Sequence, residues 1–299
     1  MLQFRPLAAA DFEIAAPILH KQDYKTTETS FAALYLWRGL SGCEIATSGG
    51  AVFFRVKWSE VRSYLFPYGG DLREALLEIC ETEKADGNDT VSFVGITEKM
   101  KEELEAAFPG EFSYKLRRSS FDYIYKSDVL AALAGKALRQ KRNHVNKFQK
   151  KYAGRYSYDA MTEAQIPEVL DFQKKWIESI PSKDGEDSLL YENEAIKEIL
   201  AHFSEFGLSG GVLRVDGEIC AYCIGFQMNE NTVDIMVEKG DYSFDGVYQM
   251  INKCFAEQMS SVTEYLNRED DMGIDGLRKS KLTYCPEILM EKYNVIWKR

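Results

Sequence analysis

The sequence predicts an α+β fold (α/β in a broader sense) made of two similar halves. Its 299 residues are enough for about two domains. Runs that alternate like strands are interleaved with runs whose apolar residues recur at helical spacing. The order of these runs is similar in the two halves, without a close sequence repeat. We therefore expect an N-terminal domain at 1–127, a basic connecting helix at 128–152 and a C-terminal domain at 153–299.

Composition and charge are those of a globular protein. Hydrophobic residues make up 45% of the chain and charged residues 28%, which favours packed domains over a disordered or membrane-embedded chain. The longest apolar runs, such as 31–37, are far shorter than the roughly 18 residues that span a bilayer. The N-terminus lacks the pattern of a secretory signal, so we expect a cytoplasmic protein. A net charge of −10 argues against a broad nucleic-acid-binding surface but leaves room for a local basic patch.

Local patterns predict each element of the first half. Two strand-like runs at 43–58 are joined by Ser-Gly-Gly, which indicates a hairpin. A helix at 27–40 has Thr29 or Ser30 as its cap, and a second helix begins at Asp71 and ends at Gly87. A strand edged by proline is predicted at 2–7 and a second strand at 90–96. A helix follows at 97–110 and an extended stretch at 113–126.

The second half follows a similar order. Helices are predicted at 162–179 and 192–207, and Asp-Gly and Asn-Glu-Asn turns then divide 209–239 into three strands. A helix is then predicted at 246–261 and a strand at 262–269. A short helix at 276–284 and a final strand at 292–299 complete the chain order. This order is similar to that of the GCN5-related N-acetyltransferase fold.

The cysteines and histidines do not indicate a metal site. Six cysteines are scattered along the chain without the spacing of a disulfide framework. Cys220 and Cys223 form a CxxC pair on a predicted strand, where residues three apart face opposite sides. We therefore expect buried cysteine side chains and predict no metal, since the three histidines also lie far apart in the sequence.

The basic segment 135–152 is the first candidate binding element. Wound as a helix, it places one apolar stripe of residues on one side: Leu138, Val145, Phe148 and Tyr152. Lys141 and Arg142 flank this stripe, where a cation is costly unless it meets an anion. Two explanations remain open: salt bridges to the protein's own carboxylates, or a cleft that receives phosphate or carboxylate groups. The outward lysines at 136, 147, 150 and 151 form a solvated face.

The predicted strand that ends near Glu238 is the second candidate. Asp234 would stand about 13 Å from Glu238 along the strand, too far to share a proton with it. Glu238, at the strand's end, is the candidate general base, and the alternative is an exposed strand-end carboxylate. The loop with Gly240 and Gly246 leads into a helix whose N-terminal N–H groups suit an anion.

The segment 267–286, NREDDMGIDGLRKSKLTYCP, is the third candidate. Gly273 and Gly276 allow a turn from strand to helix, and helical spacing then places Lys281 and Tyr284 on one face with Leu277. A structural interpretation pairs Lys281 with neighbouring acids. In a functional interpretation, Lys281 and Arg278 stabilise charge on a substrate, and Tyr284 or Glu269 handles protons. With Lys141 and Arg142, the substrate-binding candidates are then Asn267, Arg268, Glu269, Asp270, Gly276 and Arg278.

Several of these motifs resemble a known family. The stretches KRNHVNKF, VEKGDYSFDGVYQMINKCF and 267–286 are similar to an uncharacterised bacterial family grouped with the C-terminal catalytic domain of phosphatidylglycerol lysyltransferase. A looser likeness extends to Fem-type peptidoglycan aminoacyltransferases. The resemblance covers nearly the whole chain, and its most specific pattern is Gly276, Leu277, Arg278, Lys281, Tyr284, Pro286, Lys292 and Tyr293.

The resemblance implies two tandem GCN5-related N-acetyltransferase-like domains, each a mixed and mostly antiparallel sheet flanked by helices. The first domain shows no cofactor loop and is expected to be a degenerate copy. The glycine-rich coenzyme A loop of acetyltransferases is also missing from the second domain, where DYSFDGVY holds one glycine. The resemblance also implies transfer of an acyl or aminoacyl group, in those relatives from aminoacyl-tRNA, to an amine or hydroxyl.

Three functions follow. In the first, an aminoacyltransferase, Glu238 is the base, Arg142 and Lys281 stabilise the developing negative charge, and Tyr284 protonates the leaving group. The outer lysines of 136–151 would then contact tRNA phosphates. The second function is an acyl-CoA-dependent N-acyltransferase, with a pantetheine-sized slot between two splayed strands, and the third is a non-catalytic binding module. No resident cofactor is predicted, and the acceptor is a small or lipid-like molecule of unknown identity.

Overall fold

The protein is described by a computed structural model that covers residues 1–58, 61–180 and 186–298. The chain forms two compact units, each built from separated segments. The first unit contains Met1–Asp122, Asp270–Ile274 and the residues from Leu289 onward. The second unit contains Tyr123–Glu269 and Asp275–Ile288.

The described strands are numbered in chain order. They are β1 (Arg5–Pro6), β2 (Glu44–Ser48), β3 (Ala51–Trp58), β4 (Val61–Tyr64), β5 (Tyr68–Gly69), β6 (Thr90–Ile96), β7 (Phe112–Leu116), β8 (Asp122–Lys126), β9 (Tyr156–Ala160), β10 (Ser209–Val215), β11 (Glu218–Asn229), β12 (Thr232–Gly240), β13 (Tyr265–Asn267), β14 (Ile288–Met290) and β15 (Tyr293–Lys298).

The described helices begin where the sequence supplies capping groups. Ser30 accepts a hydrogen bond from Ala33 N at the start of α2, and Asp71 accepts one from Glu74 N at the start of α4. The helices are α1 (Phe12–His20), α2 (Phe31–Leu36), α3 (Arg38–Ser41), α4 (Leu72–Ala85), α5 (Glu98–Ala107), α6 (Ser127–Ala132), α7 (Arg139–Lys151), α8 (Ile166–Ser179), α9 (Glu186–Ala201), α10 (Val247–Met259) and α11 (Asp275–Leu282).

The sheet of the first unit has the order β1-β2-β3-β4-β6-β15-β7, with β5 paired to β3. Its pairs are antiparallel except for β4 and β6, which are parallel. Val295 and Trp297 alternate along β15 and are both fully buried, because a strand turns every second side chain to the same face. The Trp297 ring stacks 5.4 Å from the Phe112 ring. This packing explains why the last strand of the chain completes the first sheet.

The sheet of the second unit has the order β14-β8-β13-β12-β11-β10-β9. Its two central strands, β11 and β12, are buried along most of their length, as expected for strands covered on both faces. Helices α8 and α10 both pack against β11. Gly225 marks a register shift in β11, and a Cβ there would lie 2.9 Å from the Phe255 ring. The absence of a side chain therefore allows α10 to approach the sheet.

The α+β prediction is confirmed, since two mixed sheets are flanked by helices. The hairpin at 43–58 is present as β2 and β3, and Ser30 is the residue that caps α2. The sequence analysis placed the final strand in the C-terminal domain, whereas β15 pairs with β6 and β7 of the first unit. The predicted domain boundaries, 1–127, 128–152 and 153–299, remain a prediction. The division of the chain into two compact units does not test which segments fold independently.

Candidate active site

The candidate site lies in the second unit, where two parallel strands separate. β12 and β13 are paired from Thr232 with Tyr265 to Asp234 with Asn267. β13 ends there, while β12 continues to Gly240. Beyond the last backbone pair, the side chains of the two strands still meet. The carboxylate of Glu238 on β12 lies 3.0 Å from Nη2 of Arg268, the residue after β13.

A second donor holds the Glu238 carboxylate. Nδ2 of Asn252, on α10, donates to Oε2 of Glu238 at 3.2 Å, while Arg268 binds Oε1. The side chains of Glu238 and Arg268 are each only 13% exposed, so this ion pair is largely removed from water. A general base at this position would therefore act while in contact with two donors. The proposed role of Glu238 as a base remains a prediction.

Arg268 is enclosed by aromatic side chains. Its guanidinium carbon lies 4.9 Å from the Tyr284 ring centroid and 5.9 Å from that of Tyr125. Burial alone would lower the pKa of Arg268, but Glu238 and the two tyrosines raise it above its ordinary value, so the side chain stays charged. Its Nη1 atom is buried without a well-formed hydrogen bond in the described part of the chain.

Lys141 contributes a second cation from α7. The residue is 8% exposed, and its Nζ lies 4.0 Å from the Tyr284 ring centroid, a cation–π contact. Burial, reinforced by repulsion from Arg268 and opposed by Glu238, lowers the pKa of Lys141 to about 8. Its ammonium group makes no hydrogen bond with any described residue, which distinguishes it from an ordinary buried salt-bridge partner.

Tyr284 lies between the two cations. It is 2% exposed, and burial raises the pKa of its hydroxyl. Its ring contacts Lys141, and its hydroxyl lies close enough to Arg268 to raise the pKa of the guanidinium, while the Arg268 charge partly opposes the rise in the Tyr284 pKa. We call Lys141, Glu238, Asn252, Arg268 and Tyr284 the Arg268 cluster.

Lys281 supports this cluster through the backbone. Its buried Nζ donates to the carbonyl oxygens of Arg268 and Glu269. Tyr125 in turn donates from its hydroxyl to the Lys281 carbonyl oxygen at 2.8 Å. Because Glu269 has a left-handed backbone with φ of 55°, an unfavourable conformation for a residue with a side chain, these bonds help to hold the turn that carries Arg268.

The sequence matches one family model over most of its length. Residues 21–296 match the model described as phosphatidylglycerol lysyltransferase, C-terminal. The chain belongs to this family. The resemblance seen in 267–286 is thereby confirmed.

Proteins of several organisms are similar to this chain to different extents. An uncharacterised protein of Mycoplasmoides gallisepticum is 29% identical over 185 residues, which cover 60% of this chain and only 57% of that protein. A conserved protein of unknown function from Bacteroides thetaiotaomicron is 35% identical with a TM-score of 0.92 and full coverage of both chains. The C-terminal domain of a putative lysylphosphatidylglycerol synthetase from Agrobacterium fabrum is 14% identical with a TM-score of 0.68, over 98% of this chain and 93% of that chain.

More distant likenesses concern the fold alone. FemX is 8% identical with a TM-score of 0.62, over 97% of this chain and 96% of that chain. A tandem GNAT protein from the clavulanic acid biosynthesis pathway is 9% identical with a TM-score of 0.50, over 100% and 98% of the two chains. The predicted GCN5-related fold of the lysyltransferase family member is therefore confirmed.

The structure of this lysyltransferase family member separates Lys141 from Arg142, which the sequence analysis treated together. The Arg142 guanidinium donates to the carbonyl oxygens of Leu133 and Gly135, just before α7. Arg142 is therefore bonded to backbone oxygens, and it is Arg268 that lies beside Lys141 in the cluster. The reason is local, since the turn before α7 brings two carbonyl groups within reach of Arg142.

The other predicted site residues have varied positions. Asn267 is buried and accepts a hydrogen bond from Glu269 N at 2.7 Å. Asp270, in the first unit, accepts one from Met272 N at 3.0 Å. Gly273 has the left-handed φ expected for the turn, at 77°, but Gly276 lies inside α11 without a positive φ and with open space around it. Arg278 is half-buried on α11. Their proposed contacts with substrate remain predictions.

The expected anion site at the start of α10 is crowded by α7. A Cβ at Gly246 would lie 2.7 Å from the His144 carbonyl oxygen. The glycine, with φ of 87°, therefore permits a close approach between two helices. The backbone N–H groups of this helix are accordingly a weaker candidate than the Arg268 cluster for holding an anion.

Sequence reasoning missed Asn252 and Tyr125. Asn252 is 1% exposed in the middle of α10, and a single amide on an otherwise apolar helix face is the signal that could have revealed it. Tyr125 follows Tyr123 with the period of two that places both on one face of β8. Neither signal indicates that Glu238 and Arg268 are the partners, because those contacts join elements that are distant in the sequence.

Cys220 and Cys223 are both fully buried, as expected, and burial raises the pKa of Cys220 to about 12. Across residues 1–58, 61–180 and 186–298, no group of three histidine, cysteine or acidic side chains is arranged to hold a metal ion. Within the same residues, no helix combines the length and the hydrophobicity needed to cross a bilayer.

Proposed function

We propose that the protein is an aminoacyltransferase whose Arg268 cluster binds the anionic centre of the reaction. The family and the fold both support an aminoacyltransferase-like role. One observation carries the assignment to this cluster: Lys141 is buried beside Arg268 and forms no hydrogen bond with the residues that the structure describes. Two adjacent buried cations share one carboxylate, Glu238, so a second negative charge would stabilise the site.

Four side chains of the Arg268 cluster each have a role in the proposed reaction. An acceptor amine or hydroxyl attacks the ester carbonyl of the donor, and the carbonyl oxygen becomes an oxyanion. Lys141 and Nη1 of Arg268 stabilise that oxyanion through charge-assisted hydrogen bonds. Glu238 takes the proton lost by the acceptor, and Tyr284 gives a proton to the leaving ester oxygen, which departs as a hydroxyl. The carbonyl then re-forms from the oxyanion as the acyl–oxygen bond of the donor breaks, which leaves the acyl group on the acceptor.

Aminoacyl-tRNA is the donor that we favour. The outer lysines of α7 are exposed, as a tRNA contact requires, and they are Lys147, Lys150 and Lys151. An acyl-CoA donor would instead need a slot between β12 and β13. The two strands do separate, but the Glu238–Arg268 pair joins them just beyond the point of separation. The acceptor class in this proposal is a small molecule or a lipid headgroup.

A transfer assay with matched variants tests this function. Purified protein would be incubated with labelled aminoacyl-tRNA or with acetyl-CoA, and deacylation of the donor measured with and without a pool of amine acceptors. We expect activity with aminoacyl-tRNA that falls about a hundredfold in Lys141→Met, as for the loss of one oxyanion donor. Lys197→Met, at an exposed lysine on α9, is the matched control and should retain full activity.

Two results would contradict the proposal. Activity with acetyl-CoA alone would indicate an N-acyltransferase. Equal activity of Lys141→Met and Lys197→Met would show that the cluster takes no part in transfer.

The internal pairing of Glu238 with Arg268 favours a second candidate, a non-catalytic binding module. In that case no donor is deacylated, yet a ligand still raises the melting temperature of the protein in a concentration-dependent way.

A further inference from the structure

Asn252 presents an unsatisfied hydrogen-bond acceptor inside the Arg268 cluster. The residue is 1% exposed, and its Oδ1 atom is buried without a hydrogen bond from any residue that the structure describes. Its Nδ2 atom donates to the Glu238 carboxylate at 3.2 Å. A carboxylate has only acceptors, so this contact fixes which end of the amide faces Glu238. Because Oδ1 is the other end of the same small planar group, it also lies close to that carboxylate.

The position of this amide in α10 is unfavourable for the fold alone. A buried acceptor without a donor costs stability, and asparagine is a poor residue for the interior of a helix. The residues around it on the buried side of the helix are apolar and include Met250, Ile251 and Phe255. Leucine has a similar size and would avoid both costs. Asn252 therefore indicates that a hydrogen-bond donor reaches Oδ1 when substrate is bound.

We propose that Asn252 makes the site select a primary amine as the acceptor, in preference to a hydroxyl. This inference rests on the proposed transferase function and names the chemical class of its acceptor. Glu238 is the base in that function, so the attacking atom lies beside its carboxylate and within reach of Oδ1. A primary amine brings two N–H groups to this position, one for Glu238 and one for Asn252.

The two hydrogens of the amine have different fates. The nitrogen attacks the ester carbonyl of the donor, and Glu238 takes one proton as the carbon–nitrogen bond forms. The ester oxygen leaves as a hydroxyl with the proton from Tyr284. The second hydrogen stays on the nitrogen and donates to Oδ1 of Asn252, both in the tetrahedral intermediate and in the amide product.

A hydroxyl acceptor leaves Asn252 unsatisfied. Its single hydrogen goes to Glu238, and the ester that forms has no hydrogen at the transferred position. A site that is built to bind a substrate N–H discriminates strongly against an analogue without it, because the buried partner is then left unpaired. The same argument applies to a secondary amine, which has only one N–H.

A set of three acceptors tests this selectivity. The full chain is incubated with aminoacyl-tRNA that carries a mixture of labelled amino acids, together with butylamine, its isomer N-methylpropylamine or butanol. Each rate of acylation is divided by the rate without protein, because amines attack esters faster than alcohols even in free solution. We expect the wild type to favour butylamine about tenfold or more over each of the other two acceptors.

Asn252→Leu should reduce this preference about tenfold, because Oδ1 is lost. The loss of the Nδ2 contact with Glu238 slows all three acceptors alike, and a ratio of rates does not depend on how much of the variant is folded. Gln173→Leu is the matched control and should keep the wild-type preference. Gln173 is also a fully buried amide of the second unit, but its Oε1 accepts from the Tyr222 hydroxyl at 2.7 Å.

The outcomes separate this inference from the transferase function. If Asn252→Leu keeps the wild-type preference, Oδ1 does not contact the acceptor, and an equal loss with all acceptors would assign it to the ammonium group of the donor. If Asn252→Leu does not fold, the wild-type rates with the two isomeric amines decide alone. Donor deacylation without a preference for butylamine overturns the inference and leaves the transferase function standing. No deacylation under any condition overturns both.

Discussion

The pKa of Lys141 depends strongly on where its side chain lies. The same lysine on the exposed face of α7 would keep an ordinary pKa, since water solvates its charge. Here it is 8% exposed, faces the Tyr284 ring and lies close to Arg268. A partner of opposite charge would remove the cost of this arrangement, and Glu238 is already held by Arg268 and Asn252. The residue is therefore suited to a ligand that brings the missing negative charge.

Replacing Lys141 should make the protein more stable at neutral pH. The pKa is lowered from 10.5 in the unfolded chain to about 8 in the folded protein. The unfolded state thus binds this proton more tightly, so the charge costs stability below pH 8, by an amount on the order of 3 kcal/mol. Lys141→Met, which keeps the volume but not the charge, should therefore unfold at a higher temperature at pH 7.

The pH dependence provides the control for that experiment. The cost of Lys141 disappears as pH rises from about 8 towards 10.5, because the folded and then the unfolded protein lose the proton. The stability difference between Lys141→Met and the wild type should shrink across this window, as measured by chemical denaturation at each pH. A difference that stays constant from pH 7 to pH 10.5 would show that Lys141 is an ordinary exposed amine.

Glu238→Gln should destabilise the protein by about 3 kcal/mol. The substitution removes one partner of a largely buried ion pair and leaves the Arg268 charge uncompensated. Urea denaturation measures the change in the free energy of unfolding. Glu194→Gln is the control, since Glu194 and Lys197 form an exposed pair that should contribute no measurable stability. If Glu238→Gln retains the wild-type stability, the ion pair does not hold the strands together.

At the level of elements, the sequence predicts the helices and strands better than it predicts their partners. The apolar stripe of the basic helix is buried as expected, from Leu138 to Tyr152, because 3.6-residue periodicity is a local property. The sequence also indicates Lys141, Arg268 and Tyr284 as site candidates. It does not indicate that Arg142 bonds to nearby carbonyl groups, or that Asn252 holds Glu238, because both depend on tertiary contacts.

The final strand shows the same limit. Its period-two pattern predicts a strand, but its assignment to the first unit follows from partners far along the chain. Just before β15, Lys292 is 2% exposed and pairs with Asp122 at 2.8 Å and with Glu28 at 2.6 Å. Gly95 has no room for a side chain, since a Cβ there would lie 2.5 Å from the Glu28 carboxyl group. Glu28 and Asp122, from two distant segments of the first unit, thus meet at Lys292, and Gly95 packs against Glu28.

Lys292→Met should therefore destabilise the first unit by about 3–5 kcal/mol, because two carboxylates lose their common cation. Burial lowers the pKa of Lys292, but Asp122 and Glu28 raise it overall, so this stabilisation is fully present below pH 10.5 and is lost only as the pH passes the folded-state value. Urea denaturation at neutral pH is the measurement. The control is Lys101→Met, whose pair with Glu98 on α5 is partly exposed. If both variants lose a similar amount of unfolding free energy, the buried ion pairs of Lys292 do not stabilise the first unit as proposed.

For the whole molecule, the distribution of charge matters more than its sum. A chain with a net charge of −10 repels RNA at long range, so any contact with tRNA must be local and sensitive to salt. The exposed lysines of α7 supply such a patch in the second unit. Lys174 and Lys175, on α8 of the same unit, are also exposed and adjacent. The two pairs of lysines allow the effect of location to be separated from that of net charge.

The double variant Lys147→Glu/Lys150→Glu and the double variant Lys174→Glu/Lys175→Glu both change the net charge by −4, from −10 to −14. If α7 tracks tRNA phosphates, only the first should lose binding, and its slope of log affinity against log salt should become shallower by about two. Filter binding at several salt concentrations measures both quantities. Equal losses in the two variants would mean that overall repulsion, and not contact with α7, controls the affinity. A wild-type affinity that does not change with salt would show that phosphate contacts are not used, and would favour acyl-CoA over aminoacyl-tRNA as the donor.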